Sequence, residues 1–416
     1  MSLVMPFMPK NAAAPSKSIF AEGLDPILIG ITLALICLGL VAVASASITV
    51  ADRQIASPFY YVQRQAIAIG IGLLAVLFML KMRLVYWEKS GMILLGFAFF
   101  LLLLVLVPGV GKTVNGSTRW IPVGFLNLQV SEMVKLFLLI YVAGYLVRHG
   151  EQVRSSLWGF IKPMIMVGIA CVLLLLEPDF GASVVIMLTA LGMMFIGGVR
   201  FIQFVAFISL FATAATLLII SSPYRMQRLT AFVNPWADPF DSGFQLTQSL
   251  IAIGSGGWSG TGLGGSVQKL FYLPEAHTDF VFAIIAEELG LIGVTLVLAL
   301  FGAFFIRSFM IARKAEQQGN QFAAYLAYGI GIWMSLQAFI NIGVNMGVLP
   351  TKGLTLPLMS YGGSSLIICC AAIGLLLRIH YECATGQALP RSRNRRRSES
   401  GRKSDSELRR VFEEAA

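Results

Sequence analysis

Apolar runs of about 20 residues, parted by short polar or charged stretches, recur along the whole chain. An α-helix rises 1.5 Å per residue, so each run matches the ~30 Å hydrocarbon core of a bilayer. Ten spans are predicted, at about 26–47, 59–80, 91–107, 131–147, 158–176, 180–197, 201–220, 280–305, 323–347 and 357–378. The fold class is therefore an all-α polytopic membrane protein with about ten transmembrane helices. An even number of crossings puts both termini on one side. Two segments on the other side are long enough to carry function, about 108–130 and about 221–279, the latter between spans seven and eight. The larger contains NPWADPFDSG, GSGGWSGTGLGG and the patch FQLTQSLIAI, which is too short to span and is expected to lie in the interface or re-enter. No internal repeat is visible.

Composition agrees with this pattern. A chain of 416 residues with 57% hydrophobic content and mean hydropathy +0.78 is not an ordinary soluble globule. The net charge of +10 raises the question of nucleic acid, but ten basic residues lie from Arg378 onward, on one membrane-flanking tail. With the termini inside, 22 of the 31 Lys and Arg residues are cytoplasmic, which the positive-inside rule favours. The resulting organisation is a cytoplasmic tail at 1–25, a membrane domain at 26–380 and a basic tail at 381–416, expected to be disordered. ASA at 44–46 imitates a cleavage site, but the first run is too long for a signal-peptide core. Four of the five cysteines fall within spans and read as small hydrophobes, not as a disulfide or metal framework.

Charge is scarce, at 12% of residues, so charge beside a span requires a reason. SEMVK opens the fourth span, and i,i+3 spacing puts Glu132 and Lys135 on one helix face. The pair either compensates itself, letting the lysine enter the membrane, or faces an internal cavity. EPDFG joins spans five and six; Pro178 breaks the helix and Asp179 can cap the next, but capping leaves Glu177 unexplained. PEAHTDFVFAIIAEELG crowds Glu275, Asp279, Glu287 and Glu288 around the start of span eight. Asp279 is either that helix's N-cap, a task open to uncharged Thr278, or a chemical group. Neither His277 nor Asp279 has the serine or cysteine partners of a nucleophilic triad. Lys112, Arg119, Arg225, Arg228, Lys269 and Lys352 all fall on the external side. They are scattered surface charges, or they serve an anion such as phosphate or pyrophosphate. PGVGKT lacks the first glycine of a P-loop, and the GxGxxG at 260–265 lacks a βαβ unit, so loop flexibility accounts for those glycines.

SEMVK, EPDFG, PEAHTDFVFAIIAEELG and LPTKGLTLPLMSYGGSSL, in this order on ten spans, closely resemble the SEDS family of peptidoglycan glycosyltransferases over roughly residues 25–385. The PEAHTDF wording, TKGLTLP with GGSS, and the basic tail are similar to the cell-division branch more than to the elongation branch. Glu177 departs from the family's QPD-type motif, which carries an amide there. The resemblance implies polymerisation of lipid II at the outer face of the cytoplasmic (inner) membrane, at the division septum. In that reaction the acceptor 4-hydroxyl attacks the donor's anomeric carbon and undecaprenyl pyrophosphate leaves. It implies Asp279 as the catalytic base, and it maps Glu132, Lys135 and Asp179 onto family positions. Arg119, Arg225, Arg228, His277 and Lys352 complete the expected substrate-binding or electrostatic set. No cofactor is certain; a divalent cation, magnesium or manganese, at the pyrophosphate stays open and no metal ligand is assigned. The implied partners are lipid II, the growing glycan strand, a class B penicillin-binding transpeptidase and other division membrane proteins, with no nucleic acid. The alternatives are a lipid II flippase, the elongation role, and a non-catalytic scaffold. Transporters often show repeated halves around a midplane site, whereas the notable charges here lie near the outer boundary.

Overall fold

The computed structural model describes residues 23–386, apart from 115, 116, 125, 271 and 352. Lys352, residues 1–22 of the N-terminal tail and most of the basic tail lie outside the described residues. The elements in chain order are α1 (Pro26–Ile55), α2 (Tyr60–Lys81), α3 (Leu84–Val105), β1 (Lys112–Val114), β2 (Ser117–Val123) and β3 (Leu126–Gln129). They continue with α4 (Val130–Ser155), α5 (Leu157–Leu176), α6 (Phe180–Ile196), α7 (Phe201–Ile220), α8 (Pro223–Val233) and α9 (Phe244–Gly256). The last three are α10 (Val281–Gln317), α11 (Gln321–Asn345) and α12 (Gly363–Thr385). Among the described residues nine helices are long and apolar enough to cross a membrane, and the shorter apolar α6 makes the tenth crossing.

The ten crossings fall on the ten predicted spans. Four run further than expected: α1 to Ile55, α4 to Ser155, α10 to Gln317 and α12 to Thr385, so the expected boundary at 380 falls inside a helix. The overruns of α1, α10 and α12 lack Gly and Pro, α4 kinks at His149 just before Gly150, and α12 stops where Gly386 turns left-handed at φ 67°. The start of α1 is set by Asp25, whose carboxylate accepts from the Ile27 and Leu28 amides and holds Arg307 of α10 at 2.7 Å.

The expectation of an all-α chain needs one amendment. Residues 112–129 form a small antiparallel sheet in the order β1-β2-β3. Trp120 pairs with Gln129 and Val123 with Leu126 across a hairpin, where Gly124 supplies the positive φ of 58°. The external segment at 221–279 is also ordered, carrying α8, a short 3-10 turn and α9.

Helices α4, α11 and α12 are largely buried, while α7 has no buried residue and lies on the periphery. α2 packs closely on α12, where a Cβ at Gly374 would meet Val76 and Met79 of α2 within about 3 Å. Small residues let apolar helices approach where lipid gives no hydrophobic push. α9 is too short to cross and packs against α10, its Ser249 hydroxyl donating to the Asn345 carbonyl on α11.

α10 is two helices joined at a break. Gly290 has φ 62° and ψ −155°, outside helical space. The glycine-rich segment after α9 fills the break. Its Thr261 and Gly262 amides donate to the Glu287 and Glu288 carbonyls, and its Gly257 and Trp258 carbonyls accept from the Leu291 and Ile292 amides. These glycines therefore serve close approach, not slack: a Cβ on Gly260 would sit 2.1 Å from the Glu288 carbonyl oxygen. Every backbone group freed by the break must find a partner inside protein, and this segment provides them.

Candidate functional site

A cavity of about 700 Å³ opens among the external ends of these helices, the sheet and α8. Six of the nine predicted site residues line it: Arg119, Glu132, Asp179, Arg225, Arg228 and Asp279. They come from five separate places in the chain. Arg119 lies on β2, and the α5–α6 turn fixes its guanidinium, which donates to the carbonyls of Glu177 and Pro178. Asp179 follows in the same turn, 4.0 Å from Arg119. One of its oxygens accepts from the Ala182 amide and so caps α6, as sequence allowed. The other is buried without a hydrogen-bond partner. Arg225 and Arg228 are one helical turn apart on α8, so both face the same way. Arg225 lies over the Phe180 ring at 5.8 Å, and Arg228 donates to the Thr351 carbonyl.

Asp279 precedes α10, which has no side-chain cap at all, so the capping alternative for Asp279 is not realised. Its backbone carbonyl is gripped by the amides of Asn341 and Asn345 from α11, at 2.8 and 3.1 Å. The carboxylate meets the cavity where Gly353 leaves room: a Cβ there would lie 3.0 Å from Oδ2. Burial pushes the Asp279 carboxyl up to about 7, and Glu275 adds to the rise while Arg119 and Arg228 oppose it. A carboxylate with proton affinity near neutral pH is suited to general-base work.

Beneath it lies the pair on α4. Lys135 donates to Glu132 at 2.8 Å and to Gln337 of α11 at 2.6 Å, with the Trp333 ring 5.3 Å away. Glu132 reaches the cavity and Lys135 does not. Gln337 passes the connection on to the Thr355 carbonyl, in the segment that leads into α12. The pair thus faces inward, not toward lipid, and links three parts of the wall.

His277 is not among the lining residues. Its ring packs against Tyr61 and Tyr361 at 4.5 and 5.6 Å, and burial holds it below its ordinary proton affinity. Lys269 stands away from the cavity, 2.8 Å from Glu288. Glu177 is wholly buried with both oxygens unpartnered, and burial, reinforced by Asp179, pushes its carboxyl up to about 9.

Sequence reasoning passed over Arg64 and Tyr361 in the wall and the amides Gln337, Asn341 and Asn345 behind it. A signal existed for the amides. They recur every four residues within an apolar span, which places them on one helix face.

Comparison with known proteins agrees with this architecture. The profile of the FtsW/RodA/SpoVE family, described as cell cycle proteins, matches residues 26–385. The probable peptidoglycan glycosyltransferase FtsW of Thioalkalivibrio sulfidiphilus is 61% identical over 362 residues, covering 87% of this chain and 90% of the relative. That of Legionella pneumophila is 53% identical, covering 86% and 91%. Among solved structures, one described under structural coordination of polymerization and crosslinking by a peptidoglycan synthase complex aligns with TM-score 0.71 and 30% identity. It covers 86% of this chain and 98% of its own. The rod shape determining protein RodA of Thermus thermophilus aligns with TM-score 0.64 and 29% identity, covering 86% and 97%. With a fold that aligns with solved relatives over 86% of its length and a family profile spanning residues 26–385, this chain is a multi-pass membrane protein that belongs to the FtsW/RodA/SpoVE family.

Proposed function

We infer that this protein is a peptidoglycan glycosyltransferase of the cell-division type, joining lipid II units into glycan at the outer face of the cytoplasmic membrane. The observation that carries the reading is Asp279, a carboxylate poised near neutral pH in a cavity whose other charges include Arg119, Arg225 and Arg228.

The chemistry follows from this arrangement. A sugar hydroxyl is a weak nucleophile, and a positioned base contributes about 10²–10⁴-fold. Asp279 takes the proton from the acceptor 4-hydroxyl as its oxygen attacks the donor's anomeric carbon. The bond to pyrophosphate breaks, and the developing negative charge meets the arginines. One displacement inverts an α-linked donor to a β-linked product and uses no covalent enzyme intermediate. Asp179 orients Arg119, while Glu132 and Lys135 set the inner wall. Neutralisation of the leaving group is assigned to Arg119, Arg225 and Arg228, which line the cavity. The partner is a membrane transpeptidase that crosslinks the new strand, and the site of action is the division septum.

The test is purified protein with its transpeptidase partner and labelled lipid II. Glycan strands from the wild type and none from folded Asp279→Asn are expected. Translocation of lipid II without polymer would instead assign a flippase.

A further inference from the structure

The structure assigns a positioning role to Lys269 and Glu288, assisted by Ser45 and Glu287: they fix the far end of the short helical segment that presents Asp279. This rests on the reading of Asp279 as the base.

The break at Gly290 makes residues 281–289 a separate unit. Its direction is not dictated by the long helix that follows, because the backbone leaves helical space between them. Besides apolar packing and the backbone bonds at the break, two sets of polar side-chain contacts hold the unit. At its front, Asn341 and Asn345 grip the Asp279 carbonyl, and the Ala283 amide donates to Asn345 Oδ1 at 3.2 Å. At its back, Glu287 accepts from the Ser266 hydroxyl and the Val267 amide. Glu288 accepts from Lys269 Nζ at 2.8 Å and from the Ser45 hydroxyl at 2.5 Å, and Lys269 also donates to Ser45 at 2.9 Å. The far anchor thus joins α1, the external segment and α10.

All three charged groups are buried: Glu287 and Glu288 at 2% exposure and Lys269 at 7%. A buried ion pair is a poor way to gain stability, since apolar groups of similar size often do as well. It is a good way to fix direction, because charge-assisted hydrogen bonds tolerate little misalignment. Direction matters here through leverage. Nine residues at 1.5 Å each separate the two ends by about 13 Å. A tilt of about 5° at the anchored end then displaces the other by about 1 Å, and misplacement of that size costs about 10²-fold in rate.

Steady-state polymerisation by the purified protein with its transpeptidase partner, on lipid II, tests the assignment. Lys269→Met and Glu288→Gln are expected to lower kcat at least tenfold with KM within twofold. The double variant Lys269→Met with Glu288→Leu removes both charges together, so it should melt near the wild type yet remain at least tenfold slow. Ser45→Ala removes one hydrogen-bond donor and leaves the charges paired. It should fold normally and lose kcat about threefold at unchanged KM. Wild-type kcat in the double variant and in Ser45→Ala would reduce the cluster to a structural tie and overturn the assignment, as would losses confined to KM. A wild type that makes no polymer, or an active Asp279→Asn, would overturn the glycosyltransferase reading itself, so the two failures are distinguishable.

Discussion

Asp279 must be ionised to act as a base, and burial holds its carboxyl near 7. Below that pH kcat/KM should fall about tenfold per unit, and above it the rate should level off. A pH–rate profile checks this, and a flat profile between pH 5 and 8 would remove Asp279 from the role. Glu177 gives a stability counterpart with a definite sign. Its folded value, about 9, lies above the ordinary 4.5. The native state therefore keeps a proton that the unfolded chain releases, and stability is lost as pH rises from about 4.5 to 9. Glu177→Gln removes that penalty, on the order of 3 kcal/mol at pH 7 and nothing below pH 4. Melting curves of both proteins at pH 5 and pH 8 should converge and diverge accordingly. Gly353→Ala should fold but lower kcat about tenfold, because the new methyl would press on Asp279 Oδ2 at 3.0 Å. Single-turnover rates at saturating lipid II would show this. At this scale the site was largely legible, because Glu132, Lys135, Asp179 and Asp279 stand out as charges in an apolar chain. The amides Gln337, Asn341 and Asn345 escaped notice because they carry no charge.

Among the elements, the tie between α4 and α11 separates folding from catalysis. Lys135 spans Glu132 and Gln337, so Lys135→Met strands a buried carboxylate and should cost about 3–5 kcal/mol. Adding Glu132→Gln should recover most of that stability and none of the activity, since the inner wall then lacks both charges. Polymer made by the double variant would leave the pair a purely structural role. The ten crossings were legible because each apolar run names its own solvent. The sheet at 112–129 was not, since its strands are 3–7 residues long and periodicity has too little length to register. The break in α10 was hidden for another reason. LGLIG remains apolar throughout, and only the docking of a segment some 30 residues earlier shows that the helix is interrupted.

The cavity lies at one end of the helices, and the two ends of the described chain meet at the other, where the Gly23 carbonyl lies 3.1 Å from His380 Nδ1. Residues 391–410, which lie outside the described residues, carry nine basic side chains, a charge suited to anionic lipid or acidic protein surfaces. Deletion after Leu389 should leave lipid II polymerisation unchanged in vitro and weaken recruitment to the septum in cells, read by fluorescence microscopy. The broken helix has a consequence for the order of synthesis. The segment that fills the break, residues 257–262, leaves the ribosome before α10 does, so partners for the interrupted backbone are present when it arrives. The groups that seat Asp279 come much later: Asn341 follows it by 62 residues, with Gly353 and α12 later still. A nascent chain thus holds its arginines and its aspartate well before it holds them in register. A chain that stalls before α11 is inserted has no seated base, and it cannot draw on the lipid-linked precursor that complete copies need.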